Sequence, residues 1–400
     1  MLRSQDYIRI EDQYGAHNYQ PLDVVLTRGQ GIWLEDVEGK KYMDFLAAYS
    51  AVNQGHCHPR LVKVMQEQCA RLTLTSRAFR NDQWPMLAKE ICELTGYEMV
   101  LPMNSGAEAV ETAIKAARKW GYFYKGVAKN KAEIIVCTGN FHGRTTTIIS
   151  FSTDEQYKDG FGPLTPGFVA IEYGSIEDLK KAINPNTVAF LVEPIQGESG
   201  VIVPPEGWLK ACAEICRENK VLLIADEIQS GLGRTGKLFA CEHENVRPDV
   251  VIIGKALSGG MYPVSAVVAS QEILGVFKPG DHGSTYGGNP LGSAIAREAL
   301  KIIIDEKLPQ KSAESGAYLM QKLNEIKSPY IEKIRGKGLW VGIVLKQSAG
   351  GARRFCEALQ EHGILAKETH ENVIRLAPPL NITRDELDQA IAILREVLSQ

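Results

Sequence analysis

The chain has 400 residues, 44% of them hydrophobic and 23% charged, with a formal net charge of −3 at pH 7. That length and apolar content suit a large core and two domains. The near-neutral balance argues against nucleic acid or an anionic membrane as partner, and no apolar run approaches the roughly 20 residues of a membrane span.

The N-terminus, MLRSQDYIRIEDQYG, carries early acids and has no apolar core, so it is neither a signal nor a transit peptide. Residues 1–30 read as irregular, punctuated by Gly15, Pro21 and Gly29. Residues 31–45 alternate around Glu38-Gly39 and predict a hairpin. His56-Cys57-His58 has an H-x-H spacing, but no third ligand clusters with it, so no metal site is expected. Tyr49 precedes that turn and suits either a site or the core. The eight cysteines are scattered without a CxxC pair, which favours reduced thiols.

A helix is predicted near residues 84–95. Ser105, with Glu108 three residues on, then forms a capping box ahead of apolar residues at helical spacing. Gly106 lets a ligand approach the free N–H groups there; such a start is a ready anion site, although most capping boxes hold none. Residues 132–138 predict a strand, followed by Phe141, His142 and Arg144 in a glycine-flanked loop. Phe141 suits stacking on a flat group and Arg144 suits a carboxylate, or the two occupy core and solvent.

Thr187–Val192, residues 221–225 and Val250–Ile253 are short apolar runs bounded by turn residues and read as buried strands. Charged groups follow each of them: Glu193 and Glu198, Asp226, and Lys255. Acids and an amine at the carboxyl ends of parallel strands lie where open α/β sheets bind ligands. Pyridoxal 5'-phosphate chemistry needs such an amine and such an acid; a buried ion pair between strand ends is the other reading. Gly231, Gly233 and Gly236 match the dinucleotide pattern G-x-G-x-x-G, but polar residues separate them from the strand and no helix pattern follows.

Ser284 and Thr285 sit in a glycine-rich loop and suit phosphate binding or turn capping. A helix begins near Asn289-Pro290, and residues 293–326 read as long, helical and exposed. Residues 334–345, 363–366 and Val373–Leu376 predict strands, and residues 383–398 a closing amphipathic helix. This change of character predicts a separate α+β domain. Arg375 on an apolar strand needs a partner, since an unpaired buried charge costs several kcal/mol.

The stretches AYSAVNQGHCHP, LPMNSGAEA, GNFHGRT, VEPIQGE, IADEIQSGLGRTG, GKALSGGMYPVSAV, HGSTYGGNPLG and IRLAPPL together carry a resemblance. Over nearly its whole length the chain resembles the fold-type I, class III pyridoxal-phosphate-dependent aminotransferases. Tyr19 and YSAVNQGHCHP point to the ornithine-using branch over acetylornithine or 4-aminobutyrate enzymes. The implied fold is α/β, a large domain with a mostly parallel seven-stranded sheet flanked by helices, plus a smaller α+β domain from the two chain ends. The implied boundaries are 1–50, 51–290 and 291–400.

The resemblance also implies roles. Lys255 binds the cofactor covalently and moves the proton; Asp226 pairs with its ring nitrogen. Gln229 reaches the ring's phenolic oxygen, Phe141 stacks on the ring, and Ser105, Gly106 and Ala107 hold its phosphate. Thr285, beside Ser284, matches a threonine that reaches the phosphate of a neighbouring subunit, which implies at least a homodimer with a shared active site. Tyr19 and Arg144 bind the α-amino and α-carboxylate ends of ornithine, and Tyr49 lines the pocket. Glu198 and Arg375 form a switch, closed for ornithine and open for 2-oxoglutarate. His142 stands where some members carry tryptophan and others histidine. The start close to the catalytic core implies a cytoplasmic, bacterial-type enzyme.

Overall fold

The computed structural model describes residues 2–399. Its centre is a seven-stranded sheet. Across it run Met99–Met103, Ser265–Ala269, Val250–Ile253, Leu222–Asp226, Thr187–Val192, Glu133–Cys137 and Phe168–Ile171. Only Ser265–Ala269 runs against its two neighbours; the remaining neighbour pairs are parallel.

The three central apolar strands are buried at every residue, because helices cover both faces. Strand alternation divides their side chains. Leu191, Ile224 and Ile252 pack with Val110 and Ile114 of the helix Gly106–Trp120. Phe190, Leu223 and Ala225 pack with Leu209 and Cys212 of Trp208–Glu218 on the opposite face. Each such aliphatic side chain contributes about 1.5–3 kcal/mol by leaving water. Parallel strands end at one edge, so Glu193, Asp226 and Lys255 emerge together.

Two smaller sheets flank this core. One joins Leu26–Gln30, Trp33–Asp36, Lys41–Asp44 and Ile364–Leu365, bringing the two ends of the chain together. The other orders Ile331–Gly336, Val341–Leu345, Val373–Leu376 and Lys367–Thr369.

Three sequence expectations need correction. Residues 1–30 are not irregular throughout: residues 4–14 form the helix Ser4–Tyr14 and residues 26–30 the strand Leu26–Gln30; the helix buries no residue, and the strand is mostly exposed, so neither carries an apolar pattern to announce it. The expected long exposed helix is two helices, Pro290–Asp305 and Leu308–Asn324, broken where Lys307 takes φ +53° ahead of Pro309. The first is mostly buried, packed on Pro59–Cys69 and Trp84–Thr95. The expected strand over residues 334–345 is a hairpin of two strands. Predicted helices at Trp84–Thr95, Gly106–Trp120 and Arg384–Ser399 are present.

Lys41–Asp44 leads into an unforeseen turn. Ala47, Ala48, Tyr49 and Ser50 all take positive φ, at 47°, 45°, 59° and 75°. Left-handed backbone costs an L-residue roughly 1–2 kcal/mol and is normally confined to single residues.

All eight cysteines are free, five of them buried. Among the described residues no helix is long and apolar enough to cross a membrane.

Candidate active site

A cavity of about 200 Å³ opens at the carboxyl edge of the central sheet, lined by Gly106, Ala107, Phe141, His142, Glu193, Asp226, Ile228, Gln229 and Lys255 among others. Five separate chain segments meet there.

Asp226, the last residue of its strand, is buried. Its Oδ1 accepts the Ile228 N–H at 3.1 Å, and its Oδ2 lies 2.6 Å from His142 Nδ1. An imidazole N–H is the natural partner of a carboxylate oxygen at this distance, and His142 Nδ1 is assigned as the donor on that ground. Nε2 of the same ring is buried without a partner. His142 therefore orients the acid, a role that the sequence reading missed; an FHGR loop two strands away gives no local sign of it.

Glu193 is the second acid at this edge. Its Oε2 accepts the Phe141 N–H at 3.2 Å, which seats the loop carrying Phe141. Burial, then the nearby Asp226, raises its pKa well above the usual carboxyl value. Lys255 opens a short turn at φ +43°. Burial lowers the pKa of its amine, against the opposing pull of Glu198 and Asp226.

Gly106 and Ala107 present the N–H groups that precede the first intrahelical bond. The Ser105 hydroxyl is taken up by the capping box: it accepts the Glu108 N–H at 3.2 Å and donates to Glu108 Oε2 at 3.0 Å. A side chain at Gly106 would meet Ile228 at 3.0 Å, across the cavity. Gly143, at φ +127°, approaches Ala107 so closely that a Cβ would stand 2.9 Å from the alanine methyl carbon.

Beside the cavity, Arg375 Nη1 donates to Glu198 Oε1 at 2.6 Å. Burial pushes the Glu198 pKa up, but Arg375 and Lys255 outweigh it and leave it below the ordinary value. The Arg375 guanidinium carbon also lies 4.8 Å from the centre of the Tyr49 ring.

A family profile described as "Aminotransferase class-III" matches residues 14–398. The chain is a class-III aminotransferase. An ornithine aminotransferase of Geobacillus sp. (strain WCH70) is 58% identical over 100% of both chains. That of Bacillus subtilis is 54% identical over 99% of this chain and 98% of its own. Among solved structures, the ornithine aminotransferase of Toxoplasma gondii ME49 has a TM-score of 0.98 at 44% identity, covering 100% of this chain and 95% of that one. An acetylornithine aminotransferase of Elizabethkingia anophelis has a TM-score of 0.91 at 49% identity, covering 100% and 99%.

Pyridoxal 5'-phosphate is the cofactor of this family, and the aminotransferase's cavity fits it. One amine, one buried acid at hydrogen-bonding depth, an aromatic wall and free N–H groups at a helix start are the donor set such a group requires.

The other expected residues lie outside this cavity. Tyr19 and Tyr49 line a neighbouring apolar pocket with Leu34, Leu46 and Leu365. Arg144 is exposed and stacks 4.2 Å from the Tyr157 ring. The Ser284 hydroxyl accepts from Asn104 Nδ2 at 2.8 Å, and Thr285 is exposed beside it. His56 and His58 are engaged separately, by Asp44 and Glu306, and among the described residues no group of three ligands could hold a metal.

Proposed function

We propose that this enzyme moves the δ-amino group of L-ornithine to 2-oxoglutarate, releasing glutamate 5-semialdehyde, which cyclises, and glutamate. The observation that carries the reading is the Glu198–Arg375 pair beside the Lys255 cavity. One site must serve a cationic diamine acid and then a dianion. With the pair closed, the Arg375 guanidinium does not draw ornithine's α-carboxylate towards the reacting centre. With it open, Arg375 holds the matching carboxylate of 2-oxoglutarate. Arg375 is buried and Glu198 half-buried; breaking a fully buried charge pair costs about 2–5 kcal/mol, and the lower end of that range is enough to separate two substrates in one pocket. The names borne by the relatives support the same substrate.

When bound, pyridoxal phosphate supplies an electron sink that stores the amine between the two half-reactions. Lys255 holds it; burial favours the neutral amine, which then takes the proton from the substrate carbon and returns it. Asp226, steadied by His142, holds the ring nitrogen. Gln229 reaches the phenolic oxygen, Phe141 covers the ring, and Ser105, Gly106 and Ala107 cradle the phosphate through their backbone. Tyr19 and Arg144 receive the α-amino and α-carboxylate groups, and Tyr49 closes the pocket.

The assembly is proposed as at least a homodimer with shared sites. Thr285 is exposed in its own chain, and Phe79 and Tyr286 expose 72% and 48% of their surfaces nearby in sequence to Arg77 and Ser284. The boundaries near residues 50 and 290 and a cytoplasmic setting belong to the same proposal.

Ornithine added alone to the holoenzyme should convert its visible absorbance to the pyridoxamine form, and Lys255→Ala should lack both the yellow species and turnover. A second reading, N-acetylornithine as donor, is favoured by the Elizabethkingia neighbour. A donor panel against 2-oxoglutarate separates them: conversion by acetylornithine and not by ornithine would replace the first reading with the second.

A further inference from the structure

The left-handed turn over residues 47–50 is the longest consecutive run of positive-φ non-glycine residues among those described. Its sequence, Ala-Ala-Tyr-Ser, contains no glycine, asparagine or aspartate, so nothing local favours it. Backbone strain persists only where surroundings over-determine it, and it collects at functional sites.

The restraint comes from Asp44. Its Oδ1 accepts the N–H groups of Leu46 at 2.8 Å and Ala47 at 2.9 Å. Its Oδ2 meets His56 Nε2 at 2.7 Å, and Asp44 itself is buried. Further along, Val52 N donates to Ala47 O at 3.1 Å, and Val52 packs so tightly on Gly260 that a Cβ there would stand 2.2 Å from Val52 Cγ1. Gln54 Nε2 ties the segment to Ala256 O at 2.9 Å, beside Lys255.

The strained turn delivers one side chain to the reaction zone. Tyr49, its third residue, places its ring 4.8 Å from the Arg375 guanidinium. Among the described residues Arg375 has one other side-chain partner, Glu198. A plain connection between a strand and the helix Pro59–Cys69 would not need four strained residues.

We propose that Asp44, steadied by His56, is a positioning residue: it fixes the left-handed turn that keeps Tyr49 on Arg375, and so sets how well Arg375 receives a dicarboxylate once it leaves Glu198. This rests on the switch reading given above. Asp44 touches neither substrate nor cofactor.

The test compares the two half-reactions of the holoenzyme by absorbance: loss of the yellow form with the amine donor, and its return with 2-oxoglutarate. Asp44→Ala should raise the 2-oxoglutarate requirement about five- to tenfold, the scale of one cation–π contact, while the donor half-reaction changes less than about twofold. Asp44→Asn keeps an acceptor for both N–H groups and should restore most of the loss. Tyr49→Leu should raise the 2-oxoglutarate requirement at least as far, with the donor half free to change as well because Tyr49 also closes that pocket, and the double variant Asp44→Ala/Tyr49→Leu should need no more 2-oxoglutarate than Tyr49→Leu alone. Equal slowing of both halves by Asp44→Ala, no change in either, or multiplying effects on the 2-oxoglutarate half in the double variant would each overturn the proposal. Should Asp44→Ala fail to fold, His56→Gln reads the same split at smaller amplitude; its absence there counts against the proposal. Failure of the function itself would show differently, as a wild-type enzyme that responds to neither ornithine nor 2-oxoglutarate.

Discussion

Two arginines, Arg234 and Arg375, are almost fully buried, and they are held in opposite ways. Arg234 donates to the carbonyls of Leu339 at 3.0 Å and Pro378 at 2.7 Å, and to Asn53 Oδ1. All of these are neutral acceptors on three distant segments. No carboxylate pairs with it among the described residues. Arg375 has one carboxylate, Glu198, and one aromatic face, Tyr49; the Nε of each arginine is buried with no partner among the described residues. Several neutral bonds cannot be traded for a substrate. A single ion pair can, because an incoming carboxylate replaces it atom for atom. The first arginine rivets the chain together; the second has the single exchangeable carboxylate partner that the proposed switch requires.

The largest effect should come from breaking the rivet. Arg234→Met leaves two carbonyls and an amide unpaired in the interior, each costing about 1–3 kcal/mol. Urea unfolding should show a loss of about 3–5 kcal/mol, while the folded remainder keeps its preference between substrates.

Opening the switch should move preference more than stability. Glu198→Ala frees Arg375 to attract the wrong carboxylate. The ratio of kcat/KM for ornithine to that for 2-oxoglutarate should fall roughly 30-fold or more, equivalent to about 2 kcal/mol. An unchanged ratio, measured in the separate half-reactions, would make Arg375 a second rivet.

The smallest effect concerns the acid just before the switch. Glu193 has a raised folded pKa, so its folded form keeps a proton that the unfolded chain releases above about 4.3. That contribution is present below the unfolded value and is lost as pH rises through the folded one. Glu193→Gln should therefore gain stability relative to wild type as pH rises, by about 1 kcal/mol per unit through the window. Glu198 works in the other sense: its depressed pKa stabilises above the unfolded value, and that is lost in acid. Urea midpoints across pH for the two variants should tilt in opposite directions.

Much of the site was legible before any coordinates. Asp226 and Lys255 were visible because a charge ending an apolar run contradicts its surroundings. The capping box at Ser105 and Glu108 was visible because helix starts are decided within four residues. Arg375 was visible as a charge that needed a partner, and its family resemblance supplied Glu198. The Gly231–Gly236 pattern shows the reverse case. Its glycines serve packing: a Cβ at Gly233 would stand 3.1 Å from Leu380, and one at Gly236 would stand 3.0 Å from Ala313.

The chain's own order of residues determined the alternation of strands and helices, the charged strand ends and the helix caps, because hydrophobic period and capping act over a few neighbours. Tertiary structure alone decided that His142 grips Asp226, that Arg234 closes on three carbonyl-bearing segments, and that Ala47–Ser50 coils left-handed against its own preference. Those outcomes depend on partners 84, 105 and 144 positions away, or on a backbone strain that only a packed surround can hold.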